Sequence, residues 1–284
     1  MLRARKSGLV YVCGRVEPLN AAGCANLNAT FTKPFPKPFL ILETGQPVAS
    51  MRRHGGFPHW IRVAAGLHAD AAVVVNVEHG EPLPARRALE SRGFAGVLIT
   101  GSGAMVTERR DWSERSADWL REAAHAGLPL FGICYGHQLL AHALGGEVGD
   151  NPAGREMGTV DIELHPHASG DPLFAGLPMQ FAAQATHLQS VLQMPEGAKV
   201  LAKSAQDGCH AFRWGEATWG VQFHPEFATT HMRGYVHAKH DALAGEGRCA
   251  KRLSRTISAT PHARRVLRRF VRHAQTLHSL HTGR

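Results

Sequence analysis

Phe131-Gly132-Ile133-Cys134-Tyr135-Gly136-His137-Gln138 is the stretch on which the reading of this chain turns. An apolar run leads into it, and a helix-like run, Leu139-Leu140-Ala141-His142-Ala143-Leu144, follows. A Gly-x-Cys-x-Gly sequence at a strand-to-helix junction has the geometry of a nucleophile elbow. So tight a turn leaves no room for side chains beside the nucleophile, which accounts for Gly132 and Gly136. The helix start behind the sulfur offers unpaired N–H groups and the positive end of a dipole, and both favour thiolate. The spacing predicts covalent chemistry at Cys134.

A cysteine nucleophile needs a base, and one stands about ninety residues further on. Trp219-Gly220-Val221-Gln222-Phe223-His224-Pro225-Glu226-Phe227 reads as an apolar strand ending in His-Pro-Glu. Residues two apart in an extended segment point the same way, so His224 and Glu226 are expected side by side. The carboxylate would hold one imidazole nitrogen while the other faces Cys134, the nucleophile, base and orienter logic of a triad. A third stretch, Ala95-Gly96-Val97-Leu98-Ile99-Thr100-Gly101-Ser102-Gly103, is a hydrophobic strand running into a small-residue turn. Such a turn presents backbone N–H donors of the kind that acyl transfer aims at an oxyanion.

The chain order Cys, His, Glu and both local motifs resemble the class I (triad) glutamine amidotransferases, in particular a stand-alone glutaminase module of the GMP-synthase type. The resemblance spans about residues 37–244 and implies an α/β fold of that class, a central mixed, mostly parallel sheet flanked by helices and carrying the elbow. It implies that Cys134 attacks the side-chain amide of glutamine, with His224 as acid and base and Glu226 as orienter. It also implies an oxyanion hole built from backbone N–H groups at Gly101, Ser102, Gly103 and Tyr135. Ser102 and Gly103 stand where the family usually has a second glycine and a proline. Gln138 corresponds to a glutamine lining the substrate pocket. Thr186 and His187 correspond to the segment that holds the α-amino and α-carboxylate groups, whereas Leu188 and Gln189 depart from its pattern. The resemblance implies no cofactor and no metal.

Three functions stay open at this stage. One is glutamine amide hydrolysis, with ammonia passed to an unknown acceptor such as a synthetase partner. Another is a γ-glutamyl peptidase or hydrolase using the same three residues, since stand-alone relatives with Gly-Gly-x-Val-Gly after the elbow, here Gly145–Gly149, include such enzymes. The third is a non-catalytic regulatory protein on this fold. No GxxxxGK[ST] phosphate loop occurs, and nothing resembles a synthetase domain.

Composition agrees with one sizeable core in 284 residues. No run approaches the roughly 18 apolar residues of a membrane span, and no leader-like segment follows the basic N-terminus. Five unevenly spaced cysteines, one required as thiolate, point to a reducing cytoplasm. Cys13, Cys24 and Cys249 read as small buried hydrophobes. Cys209-His210 has no second pair at zinc spacing, which argues against a metal site. His137 and His142 read as packing or capping residues. Oligomeric state leaves no mark on the sequence.

The net charge of +9 is unevenly spread: residues 1–38 carry +5, residues 39–244 carry −5 and residues 245–284 carry +9. The catalytic stretch is thus mildly acidic. Residues 1–36, ending in Lys-Pro-Phe-Pro-Lys-Pro, read as an irregular arm. Residues 245–284 read as a basic helical tail in which Val266, Leu267, Phe270 and Val271 form an apolar face for packing. Without interleaved aromatics or a recognised motif, this tail argues against nucleic acid as the partner. Buried strands are expected at 39–43, 71–77, 97–100 and 128–133, helices at 56–66 and 113–126, and shorter strands from residue 157 onward.

Overall fold

The computed structural model describes residues 37–90 and 93–281. The first half alternates strand and helix: β1 (Phe39–Glu43), α1 (Phe57–Ala65), β2 (Ala72–Asn76), α2 (Arg86–Glu90), β3 (Val97–Ile99), α3 (Asp111–His125), β4 (Leu130–Ile133) and α4 (Tyr135–Ala143). The second half opens with strands β5 (Glu147–Asp150), β6 (Glu156–Leu164), β7 (Gln180–His187), β8 (Gln189–Gln193), β9 (Ala198–Lys203), β10 (Ala211–Trp214) and β11 (Thr218–Val221). It closes with α5 (Thr229–Ala238), α6 (His240–Gly245), α7 (Ala250–Thr256) and α8 (Pro261–His281).

Among the described residues one nine-stranded sheet runs in the order β2-β1-β3-β4-β11-β10-β9-β6-β7. The five strands from β2 to β11 are parallel neighbours, and the rest add on antiparallel. Strand residues alternate between faces. Phe39, Ile41, Phe131 and Trp219 enter one core together with Ile61 of α1 and Phe270 of α8. Leu40, Leu42, Val97 and Ile99 enter the other, with Leu120 of α3 and Leu139 of α4. Burial on both faces is why these strands read as unbroken apolar runs.

Helix α8 takes its place through the four residues expected to form its apolar face: Val266, Leu267, Phe270 and Val271 are all buried. Phe270 lies 5.0 Å from Phe131 and 6.2 Å from Trp219, centroid to centroid, so residues near the end of the chain cover the strand that delivers Cys134. Residues 1–36, with Cys13 and Cys24, lie outside the described residues.

Three expectations need correction. Strand β2 is not buried: it forms the sheet edge and exposes Val73 and Val74. Cys249 is exposed, because it precedes the short α7 instead of facing the core. Helix α3 begins at Asp111, two residues before the expected start, and Ser113 is a buried residue of its first turn whose hydroxyl meets the Tyr135 phenol at 2.6 Å. The pair β5 and β8, which forms a separate two-stranded sheet, has no counterpart in the sequence reading.

Candidate active site

Three adjacent parallel strands, β3, β4 and β11, end side by side, and each hands one sequence motif to the same place. Beyond β4 comes Cys134, beyond β3 the turn Gly101-Ser102-Gly103, beyond β11 His224. Sites in open α/β sheets form at such carboxyl ends, where the chain leaves the sheet.

Cys134 has φ 51° and ψ −103°, one of two non-glycine residues with positive φ among those described. That conformation is strained for an L-residue and holds only where the surroundings fix it. Here the Cys134 N–H donates to the Val221 carbonyl at 2.9 Å, and its carbonyl accepts from Gln138 N–H at 3.1 Å to start α4. The glycines are required sterically. A Cβ on Gly132 would overlap the Gly136 carbonyl, and one on Gly136 would stand 2.6 Å from the Ile99 carbonyl oxygen. The thiol reaches toward the Thr186 carbonyl oxygen at 3.8 Å.

His224 and Glu226 are both buried, and imidazole Nδ1 lies 2.8 Å from Glu226 Oε1. Nε2 meets no hydrogen-bond partner among the described residues. Burial opposes charge on this ring, but Glu226 on one side and Cys134 on the other outweigh it, and the His224 pKa is pushed up to about 10. Phe227 stacks under the ring at 4.1 Å, and the His224 N–H donates to the Gln184 carbonyl at 2.7 Å, so ring and backbone are both held.

The Gly101 turn is pinned from β1. Thr44 N–H donates to Thr100 Oγ1 at 3.0 Å, and the Thr44 hydroxyl reaches the carbonyls of Thr100 and Gly101 at 2.9 and 3.2 Å. Ser102 Oγ accepts from Ala104 N–H at 3.0 Å, closing the turn. Gly101 lies between the two reactive side chains: a Cβ there would approach His224 Cε1 to 3.1 Å and Cys134 Cβ to 3.8 Å.

These motifs bound one cavity of about 250 Å³, lined by Cys134, His224, Ser102, Gly103, Tyr135, Gln138, Thr186 and His187 among others. Gly101 lies behind the lining, against His224. The Tyr135 phenol turns away to Ser113 and is pushed up to about 12 by burial, so its contribution to the cavity is backbone. Gln138 is locked, its amide NH2 donating to the Gln189 carbonyl at 2.6 Å and to Gln222 Oε1 at 2.9 Å. That leaves Oε1 as its available acceptor.

His187 is held differently from a simple substrate contact. Its Nδ1 faces the Gln189 carbonyl at 3.0 Å and its Nε2 faces Glu156 Oε2 at 2.9 Å. Both ring nitrogens are thus occupied by oxygen partners. His210 Nε2 meets the same Glu156 oxygen at 2.5 Å, and Ser204 caps the other oxygen at 2.7 Å. Glu156, His187 and His210 are the group whose donor atoms could face a cation among the described residues. Their mutual hydrogen-bond spacing already satisfies the shared carboxylate oxygen. Cys209 turns away to Met194, and His137 packs on Phe212 with its pKa lowered to about 3 by burial. His142 pairs with Glu114 at 3.2 Å.

Sequence reading missed Arg52, Arg155, Gln189, Tyr235 and Lys239 in the cavity wall. Arg52 and Arg155 lie between the labelled elements, Gln189 opens β8, and Tyr235 and Lys239 lie in and just past α5, none of them within a motif. The sole hint was the departure at Leu188-Gln189.

A family model for "Glutamine amidotransferase class-I" matches residues 63–240. The glutamine-hydrolyzing GMP synthase of Aeropyrum pernix is 39% identical over 155 residues, 54% of this chain and 28% of that protein, so the chain spans little more than a quarter of its length. One subunit of the glutamine-hydrolyzing GMP synthase of Thermococcus kodakarensis is 29% identical over 206 residues, 70% of this chain and 99% of the relative. A gamma-glutamyl-L-1-hydroxyisopropylamide hydrolase from a Pseudomonas species is 29% identical over 189 residues, 64% of this chain and 62% of the relative. In fold, the chain is similar to the crystal structure of a glutamine amidotransferase from Thermotoga maritima, with TM-score 0.63 and 20% identity over 84% of this chain and 98% of that one.

Proposed function

We propose that this chain, which belongs to the glutamine amidotransferase class-I family, hydrolyses the side-chain amide of glutamine through a thioester on Cys134. The observation that carries this reading is the His224 imidazole, fixed at 2.8 Å by Glu226 on one nitrogen and unpaired on the other, in the cavity that also holds Cys134.

Cys134 Sγ attacks the amide carbon, and His224 gives its Nε2 proton to the departing nitrogen, so that ammonia leaves as the thioester forms. A water molecule then adds to the thioester carbonyl and passes its proton to His224. The carbon–sulfur bond breaks and glutamate is released. Glu226 holds the ring in the orientation both steps need and offsets its positive charge. The N–H groups of Tyr135 and of the Gly101-Ser102-Gly103 turn are assigned to the oxyanion, Tyr135 and Gly103 from the cavity wall itself. Gln138, Thr186 and the His187 segment are assigned to the amino-acid end of the substrate.

The likeness to one subunit of a GMP synthase supports delivery of the ammonia to a separate synthetase partner. A reducing, cytoplasmic setting suits a required thiolate. No helix among the described residues is long and apolar enough to cross a membrane. The likeness to a γ-glutamyl amide hydrolase supports a second reading, in which the leaving group is a larger amine on the same γ-glutamyl carbonyl. Assay of glutamate release by the wild type and Cys134→Ala tests the proposal. Release that survives the substitution contradicts it.

A further inference from the structure

A second cavity, of about 1040 Å³, shares no lining residue with the one that holds Cys134. The end of α1, the start of α5 and the N-terminal part of α8 enclose it. Arg264, Arg265, Arg268 and Arg272 line it, and no aspartate or glutamate does. Helix α8 carries no acidic residue anywhere along Pro261–His281.

Arg264, Arg268 and Arg272 follow at four-residue intervals, and Arg265 stands three before Arg268, so the four guanidinium groups share one stripe of the helix. Like charges at that spacing destabilise a helix unless something neutralises them. A solvated helix face ordinarily carries acids at those intervals, but none of the four meets a carboxylate among the described residues. Arg268 Nε donates to the Ala64 carbonyl at 2.9 Å, at the end of α1, which leaves its terminal nitrogens for a ligand. Arg269, outside the stripe, is instead satisfied by the carbonyls of Leu173 and Ala175. The unanswered charge is therefore gathered on the cavity side.

The rest of the wall reinforces it. Thr229 opens α5 and Thr260 immediately precedes α8. First-turn N–H groups have no partner within their own helix, and the dipole adds positive potential there. A single carboxylate or phosphate leaves most of the arginines unanswered. Several phosphoryl groups in a row match them, since guanidinium forks pair with phosphoryl oxygens two at a time. Phe227 is the one aromatic ring of the wall and is almost fully buried, so no open ring is offered to stack on a base. That argues against a nucleic-acid strand, which is held on stacking platforms.

We propose that this cavity binds a linear oligophosphate, free or as the triphosphate chain of a nucleotide, through Arg264, Arg265, Arg268 and Arg272. Three of the four arginines are exposed, so salt weakens the binding.

The test is calorimetric titration of the full chain, at low and at physiological salt, with tripolyphosphate, with ATP without magnesium, and with inorganic phosphate. It is run on the wild type, on Arg264→Gln/Arg272→Gln and on Lys251→Gln/Arg255→Gln. Glutamine preserves helix propensity at each position. The second pair removes the same charge from exposed positions of α7, outside the cavity. The expected result is one tripolyphosphate per chain, bound at least roughly tenfold more tightly than inorganic phosphate. The cavity variant weakens it roughly tenfold and the α7 variant leaves it nearly unchanged. ATP as tight as tripolyphosphate supports a nucleotide as the source, and ATP roughly tenfold weaker supports the free chain. Tripolyphosphate no tighter than inorganic phosphate, or weakened equally by both variants, overturns the proposal. Hydrogen exchange on the wild type reads the same site without a substitution. Protection by tripolyphosphate at the starts of α5 and α8 is expected, and protection that is absent or uniform along the chain overturns the proposal.

Discussion

Nδ1 of His224 and Oε1 of Glu226 stand 2.8 Å apart across a single proline, with both side chains buried. The rigid His-Pro-Glu segment and the Phe227 ring at 4.1 Å leave the imidazole little freedom to turn. Orienting the base is the role assigned to Glu226.

Glu226→Gln keeps the shape and removes the charge. It is expected to lower kcat on the order of 10²–10⁴-fold with a smaller change in KM, as in other sites where the orienting carboxylate is neutralised. Steady-state kinetics check this; a variant within a few-fold of wild type would show that Glu226 does not orient the base.

The pH behaviour follows from the direction of the His224 shift. Its pKa is raised from 6.5 to about 10, because Glu226 and Cys134 together outweigh the opposing effect of burial. The stabilising contribution of this charged ring is fully present below about pH 6.5 and is lost as pH rises toward 10. Thermal unfolding across that window should show wild-type stability falling with pH, and Glu226→Gln should flatten the trend. The alkaline limb of kcat/KM should likewise move to lower pH in Glu226→Gln.

Gly101→Ala tests the space between nucleophile and base. The added methyl meets His224 Cε1 at 3.1 Å, and the ring must shift by a few tenths of an ångström to admit it. A loss of kcat of about 10²-fold with an intact fold is expected, since small misplacements near reacting groups are costly. Circular dichroism and kinetics on the same sample separate the two effects. Full activity would mean the imidazole is not confined as described.

Glu156 is held far below the ordinary carboxylate range: burial would raise it, but the hydrogen bonds from His187 and His210 prevail. Its contribution to stability is present above its usual value of 4.5 and is lost as pH falls through the acidic range. Glu156→Gln should cost about 3 kcal/mol at neutral pH, because the buried hydrogen bonds from His187, His210 and Ser204 then lose their charged acceptor. Its stability should also fall less steeply on acidification than that of the wild type. Denaturant titrations at pH 7 and in mild acid check both statements.

Much of this was legible in the sequence, for identifiable reasons. Cys134, His224 and the Gly101 turn each end an unbroken apolar strand, and parallel strands buried on both faces deliver their carboxyl ends to one place. The Val266, Leu267, Phe270 and Val271 face of α8 was readable from its spacing. Edge position was not, because Val73 and Val74 look the same in sequence whether a neighbouring strand covers them or not. The fit of His187 against Glu156 and His210 was hidden as well, since the three come from strands β6 and β7 and the approach to β10. Arg52 and Lys239 left no signal, as single cations on connections acquire meaning only from the cavity they surround.

The central claim is that Cys134 is the nucleophile and that the cavity beside it recognises a glutamine-type donor. Folded protein is treated with an electrophilic glutamine analogue and weighed intact and after digestion. A single adduct on the peptide carrying Cys134, suppressed by excess glutamine or γ-glutamylglycine, is the predicted result. Modification elsewhere, or an adduct on Cys134 indifferent to both competitors, would contradict the account.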